Sequence, residues 1–503
     1  MGPITARPTL PFVLFILLAV TSCRKPEAHA QSAPDAHAGP VPTEAPVVIV
    51  GGGLAGLVTA HELKKRGVSF LLLEASEQFG GRVQTAHYGH GLRAEYGLQE
   101  IWGDNPLLEV IRDLGVELDG DVEAPFSSMV LDGKLYPYVQ DTTEEYFHSL
   151  LGVKNARVLR WWMEDARALR GVALSRGLAA SEVRALQDVS FATWVRGFKM
   201  GKRVEDWIRL TVECELATSW ELFSGLVGLL EFGVFLGEGE PNYKVKGGNS
   251  RLIEALAKEA GPNALTSALV SRIDREGDRA RVTFLRQGVE ETQHVVAAER
   301  VVVAVPFWRL HQIHFEPSLS SAKWEAVSTL MRGQYTVVHM VVSKEHRKLT
   351  YVDGQDPFPY LTDGVLGVIY GAQSESPEDE ANEVFSFLVH GVNASAFHMA
   401  PRDHKVKEML AAMDRLWPGF SRHVVTTTAY TYHPGSIAVW PPGRSPMDEK
   451  HQRLREPELG TWLVGDYTWS GHSDGAARSA MAAADTIARE LSTRKREVTA
   501  TRP

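Results

Sequence analysis

Gly51, Gly53 and Gly56, followed by Glu74, are the residues of this chain whose types and spacing point most directly to chemistry. The glycines fill a G-x-G-x-x-G pattern. Gly51 permits a tight turn, Gly53 lets the main chain approach a pyrophosphate, and Gly56 lets a helix pack closely on a strand. Leu54 and Ala55 open that helix, whose free N–H groups and positive dipole end suit phosphate oxygens. Glu74, with Ala75 beside it, offers a carboxylate that can accept hydrogen bonds from both hydroxyls of a ribose. A carboxylate there disfavours a 2′-phosphate, which favours FAD or NAD over NADP. A bare glycine turn would fit an ordinary α/β protein, but the flanking elements favour dinucleotide binding.

Those elements are legible on either side. Residues 46 to 50 have the β-branched make-up of a strand buried on both faces. Leu54 to Arg66 predicts a helix, with Leu54, Leu57, Val58 and Leu63 at three- and four-residue spacing. Val68 to Leu73 predicts a second buried strand ending at Glu74. Together they make a βαβ unit.

The 503 residues allow two or three domains, and an apolar content of 44% suits a large core. A net charge of -9 without a long basic cluster argues against nucleic-acid binding. Cys23 and Cys214 are the two cysteines and cannot form a disulfide framework. No C-x-x-C or H-E-x-x-H pattern is present, so no metal site is expected. Leu10 to Val20 is an apolar run shorter than the roughly 20 residues of a membrane span. Val20-Thr21-Ser22-Cys23 then resembles a bacterial lipobox, in which Cys23 is lipidated and begins the mature protein. A plain secretory signal with an incidental cysteine and an uncleaved anchor are the alternatives. Residues 24–45 are rich in Pro, Ala and His and lack large apolar residues, so they read as a disordered tether. The expectation is an exported lipoprotein, anchored to a bacterial cell-envelope membrane through Cys23.

Shortly after Glu74 comes Phe79-Gly80-Gly81-Arg82-Val83, where paired glycines allow close approach and Arg82 can reach phosphate. Taken with the opening unit, this G-G-R-V resembles the flavin-containing amine oxidase superfamily of monoamine, polyamine and L-amino-acid oxidases and protoporphyrinogen oxidases. Further blocks follow in the family's order. Glu95-Tyr96-Gly97-Leu98-Gln99-Glu100-Ile101-Trp102-Gly103 resembles the segment beneath the flavin, and Tyr243 to Asn249 the glycine pair that returns the chain to the cofactor domain. Leu269-Val270-Ser271-Arg272-Ile273 resembles the strand whose valine, here Val270, contacts adenine. Gly465-Asp466 and Trp469 to Ala476 resemble the block that covers the ribityl chain and flavin ring. Within that block Asp466 can accept a ribityl hydroxyl. A helix beginning near Asp474, with Ser473 and Ala476, can stabilise charge on a reduced flavin. Asp474 also suits a simple N-cap.

The resemblance implies an α/β fold with a discontinuous Rossmann-like FAD-binding domain (46–125, 240–318 and 436–492) and a mixed α+β substrate domain (126–239 and 319–435). Residues 1–23 would be the signal and 493–503 a disordered tail. It also implies oxidation of a C–N bond by hydride transfer to flavin N5. Three positions depart from the family. The lysine often found near flavin N5 falls at Val337 or Val338, and His339, on the same strand face as Val337, either replaces it or is an ordinary buried histidine. The cysteine that links flavin covalently in monoamine oxidases falls near Gly435, so FAD is expected to be non-covalent. The paired tyrosines of the amine cage fall near Ser436 and His472, leaving Trp440 and Trp469 to rebuild it. Glu100 is the remaining catalytic candidate: a substrate-ammonium anchor or proton acceptor, or else an exposed partner of Arg93. No arginine is recognisable as the carboxylate clamp of an L-amino-acid oxidase. The sequence thus points to an FAD-dependent amine oxidoreductase acting on a small amine, with oxygen or another electron acceptor. A flavin desaturase or dehydrogenase and a non-catalytic FAD-binding lipoprotein are the alternatives.

Overall fold

A computed structural model describes residues 41–122, 126–139, 142–236, 241–277, 279–286, 292–371, 381–427 and 431–500. The signal and most of the tether lie outside them. The first strand, Glu44–Val50, begins two residues before the expected boundary.

Two eight-stranded sheets carry the architecture. The first is built on the expected βαβ unit, with strand Glu44–Val50, helix Leu54–Lys65 and strand Phe70–Leu73. Its order is 264–265, 70–73, 44–50, 292–303, 279–286, 268–276 and 314–316, with 461–463 branching from 292–303. Strand Thr292–Val303 belongs to two regimes. Its first half pairs antiparallel with Arg279–Arg286, and Val301 to Val303 run parallel to Thr461–Leu463. Val47 to Ile49, Leu72 and Val301 to Val303 are fully buried, as parallel strands covered on both faces require. Helices Leu54–Lys65 and Ser473–Ala500 pack on one face. The latter runs through residues 493–500, where a disordered tail was expected. Those residues include no Gly or Pro, and extending an existing helix costs little.

The second sheet has the order 424–427, 331–343, 382–390, 368–370, 360–362, 128–131 and 134–136, with 431–439 also pairing on 331–343. Period-2 alternation divides its central strand. Val338, Met340 and Val342 pack beneath helix Arg402–Leu416, while Val337, His339 and Val341 face the other way. Residues 143–231 supply a helical layer. Its core is an aromatic cluster of Trp162, Phe191, Trp194, Trp207 and Phe232, with ring centroids 5.3 to 6.4 Å apart. Such side chains dominate a core because each buries roughly 150–250 Å². Of the irregularly spaced tryptophans in this layer, Trp162, Trp207 and Trp220 are buried, whereas Trp161 is exposed.

Candidate active site

The glycine turn is built as its spacing requires. Gly51 has φ +104, and a Cβ there would lie 2.7 Å from the Ala304 carbonyl oxygen. A Cβ on Gly56 would lie 1.9 Å from the Gly51 carbonyl, so helix and turn touch through bare main chain. Gly53 is the opposite case: nothing lies within 4 Å of its missing Cβ. It sits directly before helix Leu54–Lys65, whose first residues Leu54 and Ala55 are buried. Gly80 and Gly81 close the other side, through a hydrogen bond from the Gly80 N–H to the Gly52 carbonyl at 2.9 Å and a bridge from Gly53 to Gly80. The turn therefore leaves open space at a helix N-terminus between two glycine segments, the shape and dipole that suit a pyrophosphate.

Glu74 and Arg82 line this region with their partners already set. Glu74 accepts from the Gly52 N–H at 2.6 Å and from the N–H and hydroxyl of Ser76 at 2.8 and 2.7 Å. Ala75 is exposed beside it. The Ala268 N–H donates to the Glu74 carbonyl at 2.7 Å, which brings strand Ala268–Glu276 and Val270 to the same end. Arg82 was expected to reach phosphate. Its guanidinium instead grips Asp466 bidentately, at 2.8 and 2.7 Å, and donates to the Ser436 carbonyl. Burial works against its charge, but Asp466 more than offsets this and raises the arginine above its ordinary pKa. The pair occupies the Asp466 oxygens that were expected to accept a ribityl hydroxyl and ties 82, 436 and 466 together across the fold. Gly97 and Leu98 follow the same logic. A Cβ on Gly97 would lie 1.7 Å from the Arg82 carbonyl, which also accepts from the Leu98 N–H.

The model of the flavin-containing amine oxidoreductase family matches residues 54–488 of this chain. The chain belongs to that family. It is 26% identical over 468 residues to a Mycobacterium tuberculosis protein named as a flavin-containing monoamine oxidase, covering 88% of this chain and 96% of that one. It is 24% identical over 468 residues to a Pseudomonas putida nicotine dehydrogenase, covering 89% of each. Among solved structures, a putrescine oxidase variant superposes with a TM-score of 0.74 at 21% identity, over 89% of this chain and all of that one. Cyclohexylamine oxidase from Brevibacterium oxydans superposes with a TM-score of 0.70 at 20% identity, over 89% and 100%. The family is an FAD one, so the glycine cradle is read as an FAD site and the protein as an amine oxidoreductase.

The remaining site residues of this amine oxidoreductase divide by environment. Gly465, at φ +148, donates its N–H to the Ser479 hydroxyl and precedes Asp466. Ser473 opens the last helix and accepts from the Asn105 side-chain amide at 2.9 Å. Asp474 accepts from the Ser470 hydroxyl at 2.7 Å, and Ala476 is buried one turn into the helix. No side-chain N-cap bond from Asp474 is made among the described residues.

His339 is fully buried and stacked on Tyr96, with ring centroids 4.6 Å apart. Its Nε2 lies 3.1 Å from the Glu95 carbonyl and its Nδ1 2.6 Å from the Tyr88 hydroxyl. A carbonyl only accepts, so Nε2 carries the proton and Nδ1 accepts from Tyr88. Burial, partly opposed by the Glu95 carbonyl, lowers its pKa to about 4. Both nitrogens are thus engaged, as in a structural core histidine rather than a substitute for the family lysine.

His472 behaves in the opposite way. Its Nε2 lies 2.6 Å from a Glu231 carboxylate oxygen. Burial alone would depress its pKa, but Glu231 more than reverses this and the imidazolium titrates at about 10. Trp469 and Trp440, the aromatics left to rebuild a cage, both line one cavity of about 300 Å³ with Glu231, Ser470 and Gly471. The Trp469 ring stacks on the Arg455 guanidinium at 4.2 Å, while the Trp440 indole N–H donates to His451. Glu100 is half-buried and makes no side-chain hydrogen bond or ion pair with a described residue, so the alternative pairing with Arg93 is not formed.

Three charged residues escaped the sequence reading. Glu95 is buried. Burial raises its pKa to about 7 against the lowering effect of the Asn249 N–H and the Thr85 hydroxyl. Its place in the quoted Glu95-Tyr96-Gly97 block was the available signal. Glu231 is a lone carboxylate in the apolar run Leu226 to Phe235, a pattern that flags a buried charge. Arg455 lies in an unremarkable polar stretch, and only the fold brings it to the cavity.

Proposed function

We propose that the cavity beside Trp469 and Gly471 receives a small primary or secondary amine and that FAD bound across the Gly51–Gly56 turn accepts its electrons. The observation that carries this reading is the open space at Gly53, flanked by Gly80 and Gly81 and by a helix N-terminus. Bound FAD would supply the two-electron acceptor for oxidation of the C–N bond of the amine, and water would hydrolyse the imine product.

The chain's own residues do the rest. Leu54 and Ala55 N–H groups would hold the pyrophosphate, Glu74 the ribose and Val270 the adenine. The Arg82–Asp466 pair fixes the loops on which Gly97, Leu98 and Gly465 approach the cofactor. Ser473, Asp474 and Ala476 place a helix N-terminus where negative charge develops. Leu216, Val227, Leu230 and Trp440 keep the cavity apolar and limit water. Glu100 is the proposed anchor of the substrate nitrogen, although it stands outside the residues that line the cavity. His472 stays protonated through Glu231 across the neutral range. FAD is held without a covalent link, because Gly435 stands at the linking position and the single described cysteine, Cys214, is buried 3.4 Å from His390.

The expected FAD-binding and substrate segments (46–125, 240–318 and 436–492 against 126–239 and 319–435) are proposed as the functional division of this chain. Relatives named oxidase and dehydrogenase both match, so oxygen and a protein or quinone acceptor are the two electron sinks to compare. Peroxide release during amine turnover identifies the first, and turnover only with an added acceptor the second. The anchor proposal concerns residues outside those described. No described helix is long and apolar enough to cross a membrane. Cys23→Ala in the full chain should move the protein from the membrane fraction to the soluble envelope fraction. Unchanged fractionation would refute lipidation at Cys23.

A further inference from the structure

In a chain whose net charge is -9, positive charge is concentrated on one face of the helical layer. Residues 153–161 and 196–203 together hold seven basic residues and no acid. The fold joins the two segments. Arg203 Nε donates to the Leu150 carbonyl at 3.0 Å, and the Trp161 ring meets Phe198 edge-on with centroids 6.4 Å apart. Arg196, Lys202 and Arg203 are ion-paired with Glu221, Asp206 and Asp132. Lys154, Arg157, Arg160 and Lys199 are exposed and make no ion pair or side-chain hydrogen bond with a described residue. With about 3.6 residues per turn, Val153, Lys154, Arg157, Arg160 and Trp161 fall within about a third of the circumference of helix Val153–Arg176. Glu164 and Asp165 follow one turn on and end the positive stretch. Trp161 is 55% exposed and Val153 51%, so the basic side chains border apolar surface that no described residue covers.

We propose that this face rests on an anionic phospholipid surface, with Trp161 and Val153 among the headgroups and Lys154, Arg157, Arg160 and Lys199 over their phosphates. Charge complementarity sets the sign of the partner: four unpaired cations gather where the rest of the chain is acidic. The apolar strip sets its kind. An indole is favoured at the boundary between hydrocarbon and water, and long basic side chains lay their stems on apolar surface while their charges reach phosphate. A helix lying flat, apolar along its contact and basic at the border, matches a planar interface. The expected anchor puts such a surface within reach. Residues 24–45 span at most about 75 Å when extended, so a body held at Cys23 can turn this face to the bilayer. The attraction itself needs no anchor, and the inference is independent of the amine-oxidation reading.

The test sediments the FAD-loaded full chain carrying Cys23→Ala with phosphatidylcholine vesicles, with and without phosphatidylglycerol. Phosphatidylglycerol should tighten binding, and added salt should undo the gain. Each neutralising substitution should weaken the phosphatidylglycerol-dependent binding about fivefold, and Lys154→Gln, Arg157→Gln and Arg160→Gln together roughly hundredfold. All variants share one N-terminus, so residues 1–23 contribute equally. Brominated lipid should quench tryptophan fluorescence in the parent protein and lose that effect in Trp161→Phe. Bound FAD and amine turnover in free solution should be unchanged in every variant. A triple variant that binds as tightly as its parent overturns the inference, as does quenching that W161F leaves intact. Indifference to vesicles also overturns it: in favour of self-association where Trp161→Glu breaks a concentration-dependent dimer, and of an acidic protein partner where a soluble acidic polypeptide binds. Should the triple variant fail to fold, Lys154→Gln and Arg157→Gln singly decide together with the quenching.

Discussion

Gly53→Ala separates the fold of the glycine turn from its use. Gly53 has φ -75 and ψ -175, extended backbone that alanine adopts freely, and its added methyl meets nothing within 4 Å. In the cofactor-free protein two small terms oppose. Alanine lowers unfolded-state entropy, a gain of about 0.4–1 kcal/mol. It is also the poorer residue before a helix, a loss of up to about 1 kcal/mol. Apo stability should therefore change by less than about 1 kcal/mol. The bound form is another matter. The space the methyl fills is the one assigned to the pyrophosphate, and displacing a phosphate oxygen by a methyl radius breaks at least one charge-assisted N–H···O contact. Such a contact is worth about 1.5–3 kcal/mol, or roughly ten- to hundredfold in FAD affinity. At saturating FAD the loss appears as an equal drop in cofactor-dependent stabilisation. Gly56→Ala is the control with the reverse signature. Its Cβ would lie 1.9 Å from the Gly51 carbonyl, so the apo protein itself should lose stability. Thermal unfolding of stripped protein with and without FAD, together with flavin-fluorescence titration, reads both variants. Wild-type FAD affinity in a folded G53A protein would refute the placement of the pyrophosphate.

Three further perturbations follow from the charges. Removing the carboxylate in Glu231→Gln takes away the largest effect that keeps His472 charged, so its pKa should fall from about 10, with Asp474 and Glu215 still opposing burial. In the wild type the pair's stabilisation is complete below about 6.5 and is lost as pH rises through about 10. The limb of the kcat/KM profile that reports His472 should therefore move to lower pH in the variant, and superimposable profiles would contradict the pairing. Glu95 has a raised pKa, so the folded state favours its neutral form. Stability is greatest below about 4.5, falls as pH rises to about 7, and is flat above. The total is at most about 3 kcal/mol. Glu95→Gln should flatten that part of the stability–pH curve, and parallel curves for variant and wild type would refute it. Glu100→Gln should raise KM for cationic substrates with little change in kcat if Glu100 binds the ammonium. Unchanged KM discards that role.

The cofactor half of the site was legible because it is local. Gly51, Gly53, Gly56 and Glu74 lie within one βαβ unit, and the steric demands of Gly51 and Gly56 are met by main-chain atoms of the same turn and its neighbouring strand. Strands and helices around it were legible for the same reason: buried Val and Ile runs and three-to-four periodicity report burial directly. The substrate half was not. Arg82 was assigned to phosphate because its partner, Asp466, lies 384 positions away and no spacing rule connects them. His339 stood as a replacement for the family lysine or an ordinary buried histidine, and only the fold shows Tyr88 and the Glu95 carbonyl at its two nitrogens. Glu231 and His472, separated by 241 positions, acquire their charges only from each other. The helix beyond residue 493 was missed because polar composition alone was read as disorder, whereas an established helix propagates through such residues.

The central claim is that this chain binds FAD and uses it to oxidise an amine. The most direct test mixes purified FAD-loaded protein anaerobically with a panel of amines and amino acids while recording the visible flavin absorbance. Bleaching by at least one amine, with release of the matching carbonyl compound and ammonia after quenching, is the expected result. A protein that holds FAD yet is bleached by none of the panel, while remaining reducible by dithionite, would contradict it.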